Sequence, residues 1–586
     1  MVVKPAIRLT KPLLRLMRLD RLGDLFSESS SEKGIEFIDM LMSKLEISYE
    51  VSADDLSRIP ATGPFIVVAN HPFGGLDDLI LLRIFSSIRP DFRIFTNPIL
   101  QKCTCLDDYI LPGTAFSSFG RHESSQKELL NVAHYLKSGG CIGIFPSGRV
   151  SGYDIDTNRI TDAQWRINVL RFIRGTGIPV VPVYFKGSNS LLFQLLGMVM
   201  PSLQAIKLPS ELLNKKKSII TLRIGKPIPA KDTAEFRDLF RYGRYLRAKT
   251  YALGTSLEIK KFFTPVDERL PQAEDIIPPI PAETLSAEVN GLLPERLLFE
   301  IDQFSVYCAP ASELPSIITE IGRLREVTFR LVGEGTNKKI DLDEFDIYYR
   351  HLFIWDRQAM RIVGAYRLGM GAEIIEAYGI KGFYINSLFR ISEGFRPVMN
   401  ASIELGRSFI VQEYQRKPLS LYCLWKGILY YLIKHPEYLF LIGPVSISKK
   451  FSNFSRSLMI EYIKKHYFDE DMAALVKPRL EFKPDTGNID KDILIEGATD
   501  LGKFDKHIRD VEIEDSGMPV LLKKYLSLNG RIIAFNLDPA FNDALDGLLV
   551  LDLMNVPMTV INSLSKEIDD SSILERFNPG TNAMHR

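Results

Sequence analysis

The sequence predicts an α/β protein of two domains. Short, strongly apolar runs such as Phe65–Ala69 and Ile178–Phe185 alternate with stretches of helical spacing, which is the pattern of a layered α/β architecture. Residues 264–283 then carry five prolines and few periodic apolar positions, the composition of a linker or long exposed connection. We therefore expect a first domain over 1–275, a proline-rich linker over 276–300 and a second domain over 301–586. A chain of 586 residues is expected to exceed one domain in any case.

The elements follow in order. At the N-terminus Lys4, Arg8, Lys11, Arg15, Arg18 and Arg21 alternate with aliphatic residues, and four of them share one helical face. This is either a membrane-surface helix or a solvated helix packed on its own domain. A helix is expected from about Ile35 to Leu45. Phe65–Ala69 reads as a buried strand and Leu79–Ile88 as a helix, with Asp77 or Asp78 as its N-cap. Phe92–Thr96 is a short strand, about Ser125–Lys137 a helix, and the run from Cys141 a strand ending in the turn Pro146-Ser147-Gly148. Leu191–Ile206 is apolar on nearly all sides, interrupted by Pro201 and too short to span a bilayer. It suits buried core, an interfacial dip or the wall of an acyl-chain tunnel. Lys215-Lys216-Lys217 and a strand over Ser218–Ile224 follow.

Composition narrows the function. A net charge of +1 argues against a dedicated nucleic-acid binder. Five cysteines without a Cys-x-x-Cys pair suggest neither a disulfide framework nor a zinc site, so no metal is expected and a reducing, cytoplasmic setting fits. The chain shows no signal-peptide core and no apolar run of transmembrane length.

The first chemical signal is Asn70-His71-Pro72-Phe73-Gly74-Gly75-Leu76-Asp77-Asp78, which places His71 on a tight turn between strand and helix. An imidazole held by a carboxylate takes a proton from a substrate hydroxyl and is stabilised as imidazolium. The alternative is a structural His–Asp pair. Downstream come Phe145-Pro146-Ser147-Gly148-Arg149 and Val180-Val181-Pro182-Val183. In this motif order the first half resembles the glycerolipid acyltransferase family. The resemblance implies that His71 and Asp77 activate an acceptor hydroxyl. It also implies that Pro146, Ser147 and Gly148, with Arg121 and Arg149, bind an anionic acceptor; each arginine is otherwise a surface ion pair. Two departures stand out: five residues rather than four separate His71 from Asp77, and Ser147 replaces the family's usual glutamate. Both look like the branch that acylates lyso-ornithine lipids.

The second half carries a different constellation. Arg325 and Phe329 lie four apart on a helical stretch. Asp343 and Asp346 sit in an acidic loop, Arg367 ends a strand, and Glu404 and Arg407 lie on another. Arg-x3-Phe, Asp-x2-Asp, a strand arginine and Glu-x2-Arg in this order resemble acyl-homoserine-lactone synthases and the hemolysin-like ornithine-lipid N-acyltransferases, both of the N-acetyltransferase (GNAT) fold. The resemblance spans roughly 305–455. It implies that Glu404 deprotonates an attacking amine directly or through water, and that Arg367 and Arg407 hold an acceptor carboxylate. Asp343 and Asp346 either orient the amine or pair with those arginines. The fold's usual pyrophosphate loop reads Arg416-Lys417-Pro418-Leu419-Ser420-Leu421, which keeps the arginine and lacks the glycines that let amides reach a diphosphate. That argues for an acyl carrier protein donor over a coenzyme A thioester, with no cofactor bound.

Together these readings imply a bifunctional acyltransferase of aminolipid synthesis. The second half N-acylates an amino acid with a 3-hydroxyacyl group, and the first half O-acylates the hydroxyl just installed. An ornithine lipid is the expected product. A glycine-type product, or phosphatidic acid synthesis with an accessory GNAT-like domain, is the alternative. The expected partners are acyl carrier protein, the amino acid and a lipid surface, with no nucleic acid. The expected location is peripheral, on the inner face of a bacterial cytoplasmic membrane.

Overall fold

The computed structural model describes residues 32–95, 104–111, 123–154, 159–199, 201–255, 273–332, 334–415, 417–487, 489–513 and 516–577. The basic N-terminal stretch, Arg121 and Arg416 lie outside the described residues. The chain divides into two compact units, one of residues 1–260 with 486–517, the other of 261–485 with 518–586.

The first unit is built on a seven-stranded sheet. Its strands are β1 (Ser48–Glu50), β2 (Phe65–Ala69), β3 (Phe92–Phe95), β4 (Ile110–Leu111), β5 (Cys141–Ile144), β8 (Val180–Phe185) and β9 (Ile219–Ile224), with a separate hairpin of β6 (Gly152–Asp154) and β7 (Arg159–Thr161). The order is β1-β9-β8-β2-β5-β3-β4, and every pair is parallel except β8–β9. Parallel strands covered on both faces need apolar side chains on both, and all five residues of β2 are buried. Helix α1 (Gly34–Lys44) packs Phe37, Ile38 and Leu41 into this core, and α2 (Gly75–Ile88) adds Leu79, Ile80 and Leu82. Strand β2 lies between β5 and β8, so the C-terminal ends of three parallel strands meet at one edge. Open α/β sheets bind ligands there.

Two expectations shift in this unit. Helix α2 begins at Gly75, four residues before the expected Leu79, and neither Asp77 nor Asp78 is its N-cap. Gly74 takes that place at φ 87°, where a Cβ would lie 2.6 Å from Leu208. Asp77 instead reaches back from the first turn. The apolar run after Leu191 forms two helices, Leu191–Val199 and Pro201–Asn214, parted where Pro201 cannot continue the ladder.

The second unit carries an eight-stranded sheet, ordered β10-β11-β12-β13-β15-β16-β19-β18. These are Leu297–Ile301, Phe304–Pro310, Arg350–Asp356, Arg361–Met370, Ser402–Ile410, Phe440–Ile447, Ala544–Asp552 and Arg531–Asp538 respectively. A small pair, β14 (Phe389–Ile391) and β17 (Val476–Pro478), lies apart. Neighbours are antiparallel except β15–β16, which are parallel and pair only over Ser402–Glu404 and Phe440–Ile442. Beyond Glu404 the two strands part. Opposite this point a bulge in β15 against β13 puts Arg407 at φ 54°, a left-handed conformation that an arginine adopts only when its surroundings impose it.

The boundaries expected from proline content differ from these units. Within 276–300 lie a helix, Ala282–Asn290, and the first residues of β10. Three amides of the approach are bonded to the second unit: Glu274 and Ile277 donate to the carbonyls of Asn337 and Lys339, and Ile280 to the Glu320 carboxylate. The segment therefore belongs to the second unit. Residues 486–517, expected there, belong to the first unit: Lys249 Nζ lies 2.6 Å from Asp510, and Tyr245 meets His507 at 3.1 Å. Single-sequence patterning has no means of signalling such a return of the chain. Among the described residues, no helix is long and apolar enough to cross a membrane.

Candidate active sites

At the end of β2 the chain turns so that His71 faces α2. His71 Nδ1 lies 2.8 Å from Asp77 Oδ2, both side chains being almost wholly buried. The Asp77 carboxylate also accepts the amides of Phe73 and Gly74 at 3.1–3.2 Å, so one group orients the ring and closes the turn. Burial works against the imidazolium, yet the Asp77 carboxylate, with the charges of Asp78 and Asp162, more than offsets it and raises the His71 pKa. Burial raises the Asp77 pKa, with His71 opposing. The ring packs at 4.0 Å, tilted by 30°, against Phe145, the residue that follows β5.

The backbone of His71 is clamped on both sides. Its N–H donates to Asp162 Oδ1 at 3.1 Å, and its carbonyl accepts the Ser151 amide at 2.8 Å. Asp162 is itself held by the Ser151 hydroxyl and the Trp165 indole. Asn70 pins the turn to β8 by exchanging two bonds with the Phe185 backbone, at 2.7 and 2.9 Å. Asp162 stands 91 residues from His71 in sequence, and nothing in its local pattern marks it. Of the run Lys215-Lys216-Lys217, Lys215 lies 4.8 Å over the Phe73 ring beside this turn, whereas Lys216 and Lys217 pair with Glu46.

The turn after β5 places Pro146 and Ser147 inside and Gly148 and Arg149 at the surface. Gly148 sits at φ 63°, and a Cβ there would lie 2.4 Å from the Arg166 guanidinium. Arg166 donates to the Gly148 carbonyl, and burial together with the nearby Arg149 charge lowers its pKa. Two guanidiniums thus approach one another at the mouth of this turn, an arrangement favourable to an anion.

In the second unit the expected residues also converge, through a denser network. Arg325, on the helix Pro315–Val332, is 1 % exposed and makes a bidentate pair with Asp346 at 2.8 and 2.9 Å. It does not line the cleft described below. Arg367 is equally buried, bonds Asp343 at 2.5 Å, and has the rings of Phe345, Tyr349 and Tyr384 within 5.5 Å. Of the two roles open to Asp343 and Asp346, the geometry shows pairing with arginine. This network drives the Asp346 carboxyl well below the usual range, with Arg325 and Arg367 overcoming the burial that opposes it. Glu404 is fully buried and accepts the Tyr349 hydroxyl and the amides of Tyr384 and Ile385, the last at 2.7 Å. Burial pushes its pKa up to about 7, against those bonds and the Arg367 charge.

A cleft of about 330 Å³ opens where β15 and β16 part. Phe329 and Arg407 line it, together with Tyr384, Val445, Ser446 and Phe541. Glu334, Asp538 and Asp546 also line it. Glu404 and Arg367 do not; Tyr384, whose amide Glu404 accepts, lies at the wall.

Residues 28–260 match the Acyltransferase family, and residues 324–426 match the Acetyltransferase (GNAT) domain. The chain is 30 % identical over 275 residues to the glycine N(alpha)-acyltransferase of Bacteroides thetaiotaomicron, covering 45 % of this chain and 80 % of that one. It is 29 % identical over 276 residues to the glycine N(alpha)-acyltransferase of Phocaeicola vulgatus, covering 45 % and 83 %. To the lyso-glycine lipid O-acyltransferase of Phocaeicola vulgatus it is 25 % identical over 248 residues, covering 41 % and 86 %.

Proposed function

Because this acyltransferase belongs to the glycine N(alpha)-acyltransferase family and carries a second acyltransferase domain, we propose that it makes a di-acylated glycine lipid in two steps. The unit with the GNAT match transfers a 3-hydroxyacyl group to the amine of glycine. The unit with the Acyltransferase match then acylates the 3-hydroxyl of that product. Relatives named for both steps favour glycine over ornithine.

The observation that carries this reading is the His71–Asp77 pair at the edge where three parallel strands end. With Nδ1 held by Asp77, Nε2 is the nitrogen that meets a hydroxyl. It takes the hydroxyl proton as the oxygen attacks a thioester carbonyl, a C–O bond forms, and the C–S bond breaks to release a thiolate. A free amino acid such as glycine has no 3-hydroxyl, so N-acylation comes first. One chain that carries both sites keeps the intermediate at raised effective concentration. Arg149 and Arg166 suit the carboxylate of the mono-acylated lipid. We take the donor to be an acyl carrier protein thioester, from the missing glycines after Arg416, and the site of action to be the inner face of a bacterial membrane.

The test is mass spectrometry of lipids formed by the purified chain from glycine or ornithine and 3-hydroxyacyl and acyl thioesters of carrier protein or coenzyme A. Mono- and di-acylated glycine are the expected products. Products made from ornithine alone, or phosphatidic acid formed from added lysophosphatidic acid in their place, would refute the reading.

A further inference from the structure

The cleft of the second unit holds two charges of opposite sign, each short of a close partner. On one wall Asp546 is 3 % exposed. It stands on β19 opposite Ser446, whose hydroxyl donates to Oδ1 at 2.6 Å, and among the described residues no cation forms an ion pair with it. A buried carboxylate in that state either keeps a proton or awaits a cation. On the other wall Arg407 lies at the bulge of β15, stacked at 4.3 Å on Phe541. Its nearest carboxylates, Asp341 and Asp343, stand 3.8 and 3.7 Å off, beyond hydrogen-bond distance, and its buried Nε has no acceptor among the described residues. Glu404 presents the opposite case: three donors meet its carboxylate and it does not line the cleft.

We propose that Asp546 and Arg407 form the amino-acid subsite of the second unit, with Arg407 holding the carboxylate of a zwitterionic α-amino acid and Asp546 receiving its ammonium and then one ammonium proton. The proposal rests on the reading of this unit as an amino-acid N-acyltransferase, and it moves the base from Glu404 to Asp546. The ammonium gives one proton to Asp546. The freed lone pair attacks the thioester carbonyl, a C–N bond forms, and the C–S bond breaks. The departing thiolate takes the second proton from nitrogen, and Asp546 returns its own to solvent as product leaves. The groups facing Asp546 suit this cycle. Burial raises its pKa, the Ser446 bond opposes, Asp538 and Glu334 raise it further and Arg407 lowers it, leaving it near 7. With that pKa the carboxylate is about half ionised at neutral pH, and its ionised form is basic enough to take a proton.

The experiment is steady-state N-acylation by the full chain with glycine or glycinamide as acceptor, from pH 5.5 to 9. Asp546→Asn, which conserves shape, is expected to raise KM at least tenfold for both acceptors and to erase the acidic limb near pH 7. Arg407→Gln is expected to raise KM at least tenfold for glycine but less than threefold for glycinamide, which lacks the carboxylate. Glycine is expected to raise the thermal midpoint of the wild type and not that of Asp546→Asn, which separates lost binding from lost folding. An Asp546→Asn variant that keeps the KM, the acidic limb and the glycine-induced shift overturns the subsite. A wild type that acylates no α-amino acid refutes the functional reading itself.

Discussion

In the first unit the His71–Asp77 pair comes from Asn70–Asp78, nine consecutive residues at the end of β2. In the second unit the charged residues are gathered from a helix (Arg325), an acidic segment (Asp341, Asp343, Asp346) and two strands (Arg367, Arg407), while Asp546 on the last strand stands outside their ion pairs. The first site is framed largely by its own turn, where Asp77 accepts the Gly74 amide, closes the loop and orients the ring, and Asp162 and the Phe185 backbone fix that turn from outside it. The second is a largely buried charge network of three arginines and three aspartates, in which Arg325 and Arg367 are closely paired with Asp346 and Asp343 and Arg407 stands at 3.7–3.8 Å from Asp343 and Asp341. The first site draws most of its frame from nine residues and the second from pairs spread across its unit, and the two units should respond to substitution accordingly.

The largest effect is expected at the turn. His71→Ala should lower O-acylation about 10²- to 10⁴-fold, the range that general-base catalysis supplies, and leave the mono-acylated, hydroxyl-bearing lipid to accumulate. Lipid mass spectrometry reads both, and loss of the mono-acylated species would reverse the assignment of the two units.

Next comes the network. Arg325→Met leaves Asp346 buried without its bidentate partner and should cost about 3–5 kcal/mol in the denaturant-induced unfolding of the chain. A loss below about 1 kcal/mol, the range of exposed pairs, would mean that the network is not the frame of this unit.

A pH dependence of stability separates the sites further. Glu404 titrates near 7 when folded against an ordinary 4.5, and Asp546 near 7 against 3.8, so the folded protein holds protons that the unfolded chain releases. Their contribution is complete below pH 4 and is lost as pH rises through 7, where unfolded chains bind fewer protons than folded ones. Glu404→Gln should flatten the slope of thermal midpoint against pH between about 5 and 7, an interval set by these two ends. An unchanged slope would place the Glu404 titration elsewhere.

Asp162→Asn should act on the turn from behind. It keeps a carbonyl for the His71 amide but weakens the bonds to Ser151 and Trp165, and we expect kcat for O-acylation to fall by about tenfold with KM nearly unchanged, as for a group that positions a base without touching substrate. The smallest effect is expected for Arg149→Ala, an exposed group that should alter the KM of the mono-acylated lipid by a few-fold and leave its turnover intact.

What could be read from the chain alone was whatever physical chemistry writes locally. The apolar runs of β2 and β8, the glycine turn with His71 and Asp77, and the helix bearing Arg325 and Phe329 are all short-range patterns, and each is in the structure. Asp162, Asp546 and the return of 486–517 to the first unit were not legible, because each takes its meaning from a partner far off in sequence: a backbone amide 91 residues away, a serine on the neighbouring strand 100 residues away, a lysine 261 residues away. The cleft itself belongs to this class. It exists because β15 and β16 pair for three residues and then part, and a strand's sequence states which faces it buries but not where its neighbour leaves it.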